Sequence, residues 1–144
     1  GHDLDLTVDV ARDFGSWQLK AWSNFRTNET RTVKFAAPGC VVWDYWNDRL
    51  VTGDEIAVPP CDTVLVRVTP VEKNRPTLVS VSRHLTQGAY EIVRYESDAR
   101  GAHGVVKCPG GEPVVLTFRL PDGSVRRVKV ESAVKAEKEF SLCL

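Results

Sequence analysis

The chain has 144 residues, with 19 lysines and arginines balancing 19 aspartates and glutamates, so its formal net charge is zero. A nucleic-acid-binding protein usually carries a basic excess, and a (β/α)₈ barrel needs about 200 residues or more. We therefore expect no nucleic-acid partner and no complete barrel enzyme. Apolar residues make up 42% of the chain, yet no run approaches the ~20 apolar residues of a membrane span, so we expect no membrane partner.

Apolar and polar residues alternate along most of the chain, which is typical of β-strands with one buried face. In the first strand, Leu4, Leu6 and Val8 are predicted to point inward and the intervening polar residues outward. Turn signals such as Pro38-Gly39 separate the strands. In chain order, strands are predicted over residues 3–10, 17–24, 31–36, 40–46, 55–58, 63–69, 77–82, 89–95, 103–106, 113–118, 124–130 and 140–144.

Short strands with a turn every 8–12 residues predict an all-β fold, an antiparallel β-sandwich of immunoglobulin-like or Greek-key type with little or no helix. The one helical candidate, residues 132–139, lacks an apolar stripe, and a loop leading into the last strand fits it equally well. We predict a single sandwich domain over residues 1–144. The linker-like segment 72–76 leaves the alternative of two small β subdomains, 1–74 and 75–144.

The cysteines predict neither a metal site nor a cofactor. Their gaps are wide and irregular, with no C-x-x-C pair and no clustered histidines. Two disulfides in three connectivities are possible, but we expect free thiols, because a chain of this size can build a core without cross-links. The four cysteines are Cys40, Cys61, Cys108 and Cys143. Methionine is absent even at position 1, so we expect a processed or excised piece of a longer protein.

Four tryptophans fall between residues 17 and 46. Exposed aromatic rings can stack on sugars, so Trp22, Trp43 and Trp46 are the candidate carbohydrate-binding residues. The strand period, however, puts Trp43 and Trp46 on opposite faces, and likewise Trp17 and Trp22. No flat stripe results, and we therefore favour core packing for these rings.

No catalytic constellation stands out. Four carboxylates crowd the stretch 44–55, but turn formation and solvation account for them; they are Asp44, Asp48, Asp54 and Glu55. His84, two residues from Ser82, is interpreted as a hydrogen-bonded histidine fixing a tight connection, since no third orienting group is recognisable. The residues therefore predict a protein that is not itself an enzyme.

Two stretches carry a family resemblance. Residues Trp17–Asn24, followed by Val41–Trp46 with its closing Asp-Tyr-Trp, resemble the β-domain behind the barrel in alpha-galactosidase-like (melibiase-type) glycoside hydrolases. Residues 76–88 are similar to the closing part of that domain in bacterial members. The order Trp22-Ser23-Asn24 departs from the family's Asn-Trp-Ser. The resemblance covers about residues 3–95 and only weakly the last fifty.

In that family the catalytic aspartates belong to the barrel and have no counterpart here. The resemblance implies a non-catalytic C-terminal accessory domain that packs on the catalytic barrel of its parent chain and helps hold a sugar chain. A carbohydrate-binding module with exposed tryptophans, or an immunoglobulin-like adhesion or scaffold module, remains the alternative. An extracellular or periplasmic location is favoured if the parent protein degrades polysaccharides.

Overall fold

The structure is a computed structural model that describes residues 4–83 and 87–144. Within these residues the chain is all-β, with antiparallel sheets and no helix. The described strands are β1 (Asp5–Arg12), β2 (Gly15–Asn24), β3 (Arg31–Lys34), β4 (Cys40–Asp44), β5 (Arg49–Leu50), β6 (Glu55–Val58), β7 (Asp62–Pro70), β8 (Thr77–Val81), β9 (Ile92–Asp98), β10 (Gly101–Cys108), β11 (Val114–Arg119), β12 (Val125–Val130) and β13 (Ala136–Cys143).

The N-terminal half, residues 4–70, is built on a five-stranded sheet in the order β1-β2-β7-β4-β5. The ribbon of β3 and β6 packs on one face of this sheet. Because directly paired residues point to the same side of a sheet, Trp22 and Val64 share this inner face. β-Branched residues dominate the core between the two layers, as strands prefer; its buried members are Trp22, Val33, Val42, Ile56, Val58, Val64, Val66 and Val68.

The C-terminal half, residues 77–143, contains two three-stranded sheets, β13-β10-β9 and β12-β11-β8. All six strands contribute buried side chains to one larger core that lies between the sheets. Aromatic rings stack inside it, with Tyr95 6.3 Å from Phe118 and 6.4 Å from Phe140 between ring centroids. The two inner faces of this half therefore cover each other.

The second face of the five-stranded sheet meets the C-terminal half at a surface that we call the junction. A small cluster of Val41, Trp43 and Val79 packs across it. The guanidinium of Arg67 donates to the carbonyl oxygens of Gln87 at 2.6 Å and Leu78 at 3.1 Å. The chain thus has one larger core before residues 72–76 and one after them, with a smaller cluster between the two cores. A single domain and two small subdomains both remain predictions.

Several predicted elements need correction. The apolar face of β1 was expected to be buried, but Leu4, Leu6 and Val8 are each about half exposed because no layer covers them. The fourth strand ends at Asp44, not at residue 46, and the strand predicted at 89–95 begins only at Ile92. The helical candidate 132–139 is not a helix, because residues 132–135 form a loop and residues 136–139 are the first part of β13.

All four cysteines are free thiols in this structure, as expected. Cys108 is buried, Cys40 is half-buried, and Cys61 and Cys143 are exposed. In residues 4–83 and 87–144, no helix has the length and apolarity needed to cross a membrane.

Candidate functional site

The three candidate tryptophans occupy different environments. Trp22 stacks on Phe35 in the N-terminal core, and Trp43 lies at the junction with 1% of its surface exposed. Neither indole presents a face to which a sugar could bind. Trp46 is 60% exposed. Of the three, only Trp46 keeps the properties of a stacking platform, and its role in binding stays a prediction.

Asp44 explains why Trp46 points outward. Its buried carboxylate accepts hydrogen bonds from the backbone N–H of Asn47 at 3.2 Å and from the Asn47 side-chain amide at 2.8 Å. These bonds fold residues 45–48 into a turn directly after β4, in the manner of aspartates that replace a backbone acceptor. The strand period ends there, so Trp46 leaves the sheet rather than entering a core.

Tyr45 fixes the orientation of Trp46. The two rings meet edge to face, with centroids 4.9 Å apart and planes at 81°, a favourable geometry for aromatic pairs. The Tyr45 hydroxyl donates to the carbonyl oxygen of Ser82 at 2.8 Å, which ties the turn to the C-terminal half. Partial burial raises the pKa of this hydroxyl. The platform is therefore braced from the side.

A groove of about 470 Å³ runs between this turn and the outer face of sheet β12-β11-β8. We call it the Trp46 groove. Its volume lies within the range typical of small-molecule sites. One wall is formed by the turn, and hydroxyl side chains and one cation dominate the other. The lining residues are Tyr45, Trp46, Asp48, Ser80, Ser82, Val115, Thr117 and Arg127.

Among the described residues that line the groove, Arg127 carries the one positive charge, and it is held in a defined position. Its Nη2 lies 2.9 Å from the Asp48 carboxylate, and its guanidinium lies over the Trp43 ring, 5.7 Å from the centroid. A planar guanidinium held by a carboxylate and an aromatic face retains free N–H donors in a fixed fork. Asp48 and Arg127 balance each other and are the charged side chains among the lining residues that the structure describes.

A second surface feature is the β1 stripe, which we define as Leu4, Leu6 and Val8. Their exposed fractions are 52%, 55% and 51%. Leu6 and Val8 share one face of the edge strand β1, beside Ala21 and Leu19 of β2, and Leu4 directly precedes that strand. On the opposite face, Asp5 forms a two-pronged pair with Arg31 at 2.7 and 2.8 Å, which lowers the pKa of Asp5.

The junction contains a buried cation. Arg67 is 2% exposed, and its guanidinium stacks over the Trp17 ring at 4.3 Å from the centroid. Three neutral oxygens accept its hydrogen bonds, those of Thr69, Gln87 and Leu78. Burial lowers the pKa of Arg67 to about 9, so it remains charged at neutral pH. Its bonds join the two halves.

The remaining sequence candidates do not form a reactive cluster. Asp44 serves the turn, Asp48 pairs with Arg127, and Glu55 lies near Lys34 at 3.8 Å on the exposed ribbon. No group of three or more metal-ligating side chains is found in the described part of the chain. His84 lies outside the described residues. Sequence reasoning missed Arg127, because it lies in a strand of alternating charged and apolar residues and nothing in that pattern marks it.

Comparison of the chain with protein-family models, with curated proteins and with solved structures found no match.

Proposed function

We propose that this chain is a non-catalytic accessory β-domain of a glycoside hydrolase, with a structural role in which the β1 stripe packs on the catalytic barrel of the same parent chain. The observation that carries the proposal is the exposure of Leu6 and Val8 on one face of β1 and of Leu4 directly before it. Support for the kind of partner comes from the resemblance of residues 17–24 and 41–46 to the domain that follows the barrel in alpha-galactosidase-like enzymes.

The energetics favour a covered stripe. Complete burial of a Leu or Val side chain stabilises by about 1.5–3 kcal/mol, so covering the exposed halves of three of them contributes about 3 kcal/mol. A neighbouring domain of the same chain needs no more, because the covalent linkage supplies a high effective concentration. The opposite face of β1 carries Asp5, Thr7 and Asp9 and is suited to water.

The test uses the full-length parent polypeptide. We expect Leu6→Lys to place a charge in the interface, to release the accessory domain from the barrel and to make the segment between them sensitive to limited proteolysis. Thr7→Lys is the matched control, because it adds the same charge to the other face of β1 and is expected to leave the protease pattern unchanged.

Two results would overturn the proposal. If the parent polypeptide contains no catalytic barrel, the proposed partner does not exist. Identical protease patterns for Leu6→Lys, Thr7→Lys and the unsubstituted protein would show that the stripe is not the contact. The same Leu6→Lys change in the 144-residue chain tests for general damage, and its thermal unfolding is expected to stay within about 2 °C of the unsubstituted chain.

A further inference from the structure

We infer that the Trp46 groove is a binding subsite for an uncharged saccharide, with the exposed indole as its stacking platform. The sequence points to tryptophans in general, but the structure separates Trp46 from the buried pair Trp22 and Trp43. This inference concerns a different surface from the β1 stripe and does not rest on the proposed function.

The groove offers the two kinds of contact that a sugar ring needs. A pyranose has an apolar C–H face, which stacks on an aromatic ring, and an edge of hydroxyl groups, which donate and accept hydrogen bonds. Trp46 supplies the ring. On the opposite wall Arg127 supplies N–H donors, and Asp48, in the same turn as Trp46, supplies acceptors 2.9 Å away. Both groups are partly exposed, at 44% and 62% of their side chains.

Pre-organisation strengthens the case. The indole is braced by Tyr45, the turn is held by Asp44, and Arg127 is fixed between Asp48 and the Trp43 ring. A site whose side chains are already positioned loses little conformational entropy on binding. The groove therefore resembles a preformed site more than a chance depression on the surface.

Charge and ring geometry select the ligand class. The charges of Asp48 and Arg127, the charged residues in the described lining of the groove, cancel, so an anionic ligand such as a phosphate or an acidic sugar gains no net attraction from them. Proline-rich peptides use grooves lined by several aromatic rings. Here Tyr45 stands at 81° to Trp46, and its hydroxyl is occupied by Ser82. One ring face with polar groups opposite fits a neutral sugar better.

The experiment is affinity electrophoresis of the 144-residue chain in gels containing galactomannan, xylan, mixed-linkage β-glucan or polygalacturonate. We expect at least one neutral polysaccharide to retard the chain and polygalacturonate to have no effect. Trp46→Ala is expected to abolish the retardation. Phe25→Ala is the matched control, because Phe25 is 54% exposed and does not line the groove.

Solution titrations give the size of the effect. With a soluble oligosaccharide of the retarding polymer, Trp46→Ala is expected to weaken binding about tenfold or more, as removal of an aromatic anchor does, and Trp46→Phe to retain part of it. In ¹⁵N spectra, the indole N–H signal that Trp46→Phe removes should shift on titration. These variants are expected to fold normally because Trp46 is largely outside the cores.

The inference would be overturned by retardation that Trp46→Ala leaves intact, by a chain that none of the neutral polymers retards, or by binding only to polygalacturonate or to a proline-rich peptide. The variant Leu6→Lys separates this inference from the docking proposal. We expect it to change the protease pattern of the parent protein and to leave sugar binding by the 144-residue chain unaltered.

Discussion

Strands β1 and β13 lie at the edges of their sheets, and each alternates apolar with polar residues over part of its length, yet the exposure of their apolar side chains differs. In β13, Phe140 and Leu142 are 6% and 4% exposed because the facing sheet covers them. In β1, Leu6 is 55% exposed because no second layer covers this part of the strand. The difference teaches that alternation indicates which side chains share a face, whereas a second layer decides whether that face is buried.

The largest expected effect on stability concerns the hydrogen bonds of Arg67 that join the two halves. Arg67→Ala should lower the free energy of unfolding by about 4 kcal/mol, because it leaves the buried carbonyl groups of Gln87 and Leu78 without a donor and opens a space beside Trp17. Urea unfolding measures the loss. The control is Arg126→Ala, an exposed arginine for which we expect a change within about 1 kcal/mol. Equal effects of the two substitutions would contradict a special role for Arg67.

The next largest effect on stability tests whether the edge strand β13 is covered. Leu142→Ala removes a buried side chain from β13, and we expect it to cost about 3 kcal/mol through lost burial and the cavity left behind. Thermal or urea unfolding provides the measurement. A loss below about 1 kcal/mol would mean that this edge of the C-terminal core is not closed.

A smaller effect concerns pH. Burial raises the pKa of Tyr95 to about 12, against the lowering effect of Ser97. The folded state therefore retains the phenolic proton more strongly, and the associated stability, present below about pH 10, is lost as pH rises toward 12. Between pH 9 and pH 11 the free energy of unfolding of the unsubstituted chain should fall by about 1 kcal/mol more than that of the Tyr95→Phe variant. Parallel pH profiles for the two proteins would refute this.

The smallest effect is expected at the uncovered edge. Leu6→Ala in the 144-residue chain should change the free energy of unfolding by less than about 0.5 kcal/mol, since half of the side chain already contacts water. Measured in the same urea series as Leu142→Ala, the pair tests the comparison directly. A cost close to that of Leu142→Ala would show that β1 is covered in solution.

The all-β fold could be predicted from the sequence because period-two alternation and turn residues are local signals. The exposure of Trp46 could not, because it depends on where β4 ends. That end is set by hydrogen bonds from Asn47 to Asp44, and the strand composition of residues 40–46 hides it. The contribution of Arg127 to the groove depends on contacts between residues 79 positions apart, which no local pattern encodes.

Residues 132–139 show that a local signal can also mislead. Their composition suits a helix, but Ala136–Cys143 pairs with β10 over eight residues. Long-range pairing in a sheet outweighs the small intrinsic preference of a short segment that has no apolar stripe. Propensity therefore gives the weaker signal wherever a neighbouring strand offers a complete ladder.

The side chain of Gln87 affects the edge of β8 that does not face β11. Its amide accepts from the backbone N–H of Val81 and donates to the carbonyl oxygen of the same residue, both at 2.9 Å. Arg67 binds the carbonyl oxygen of Leu78 on the same strand. These backbone groups would otherwise be a template on which a foreign strand could pair. By occupying them with its own side chains, the chain protects β8 from intermolecular β-sheet growth and aggregation.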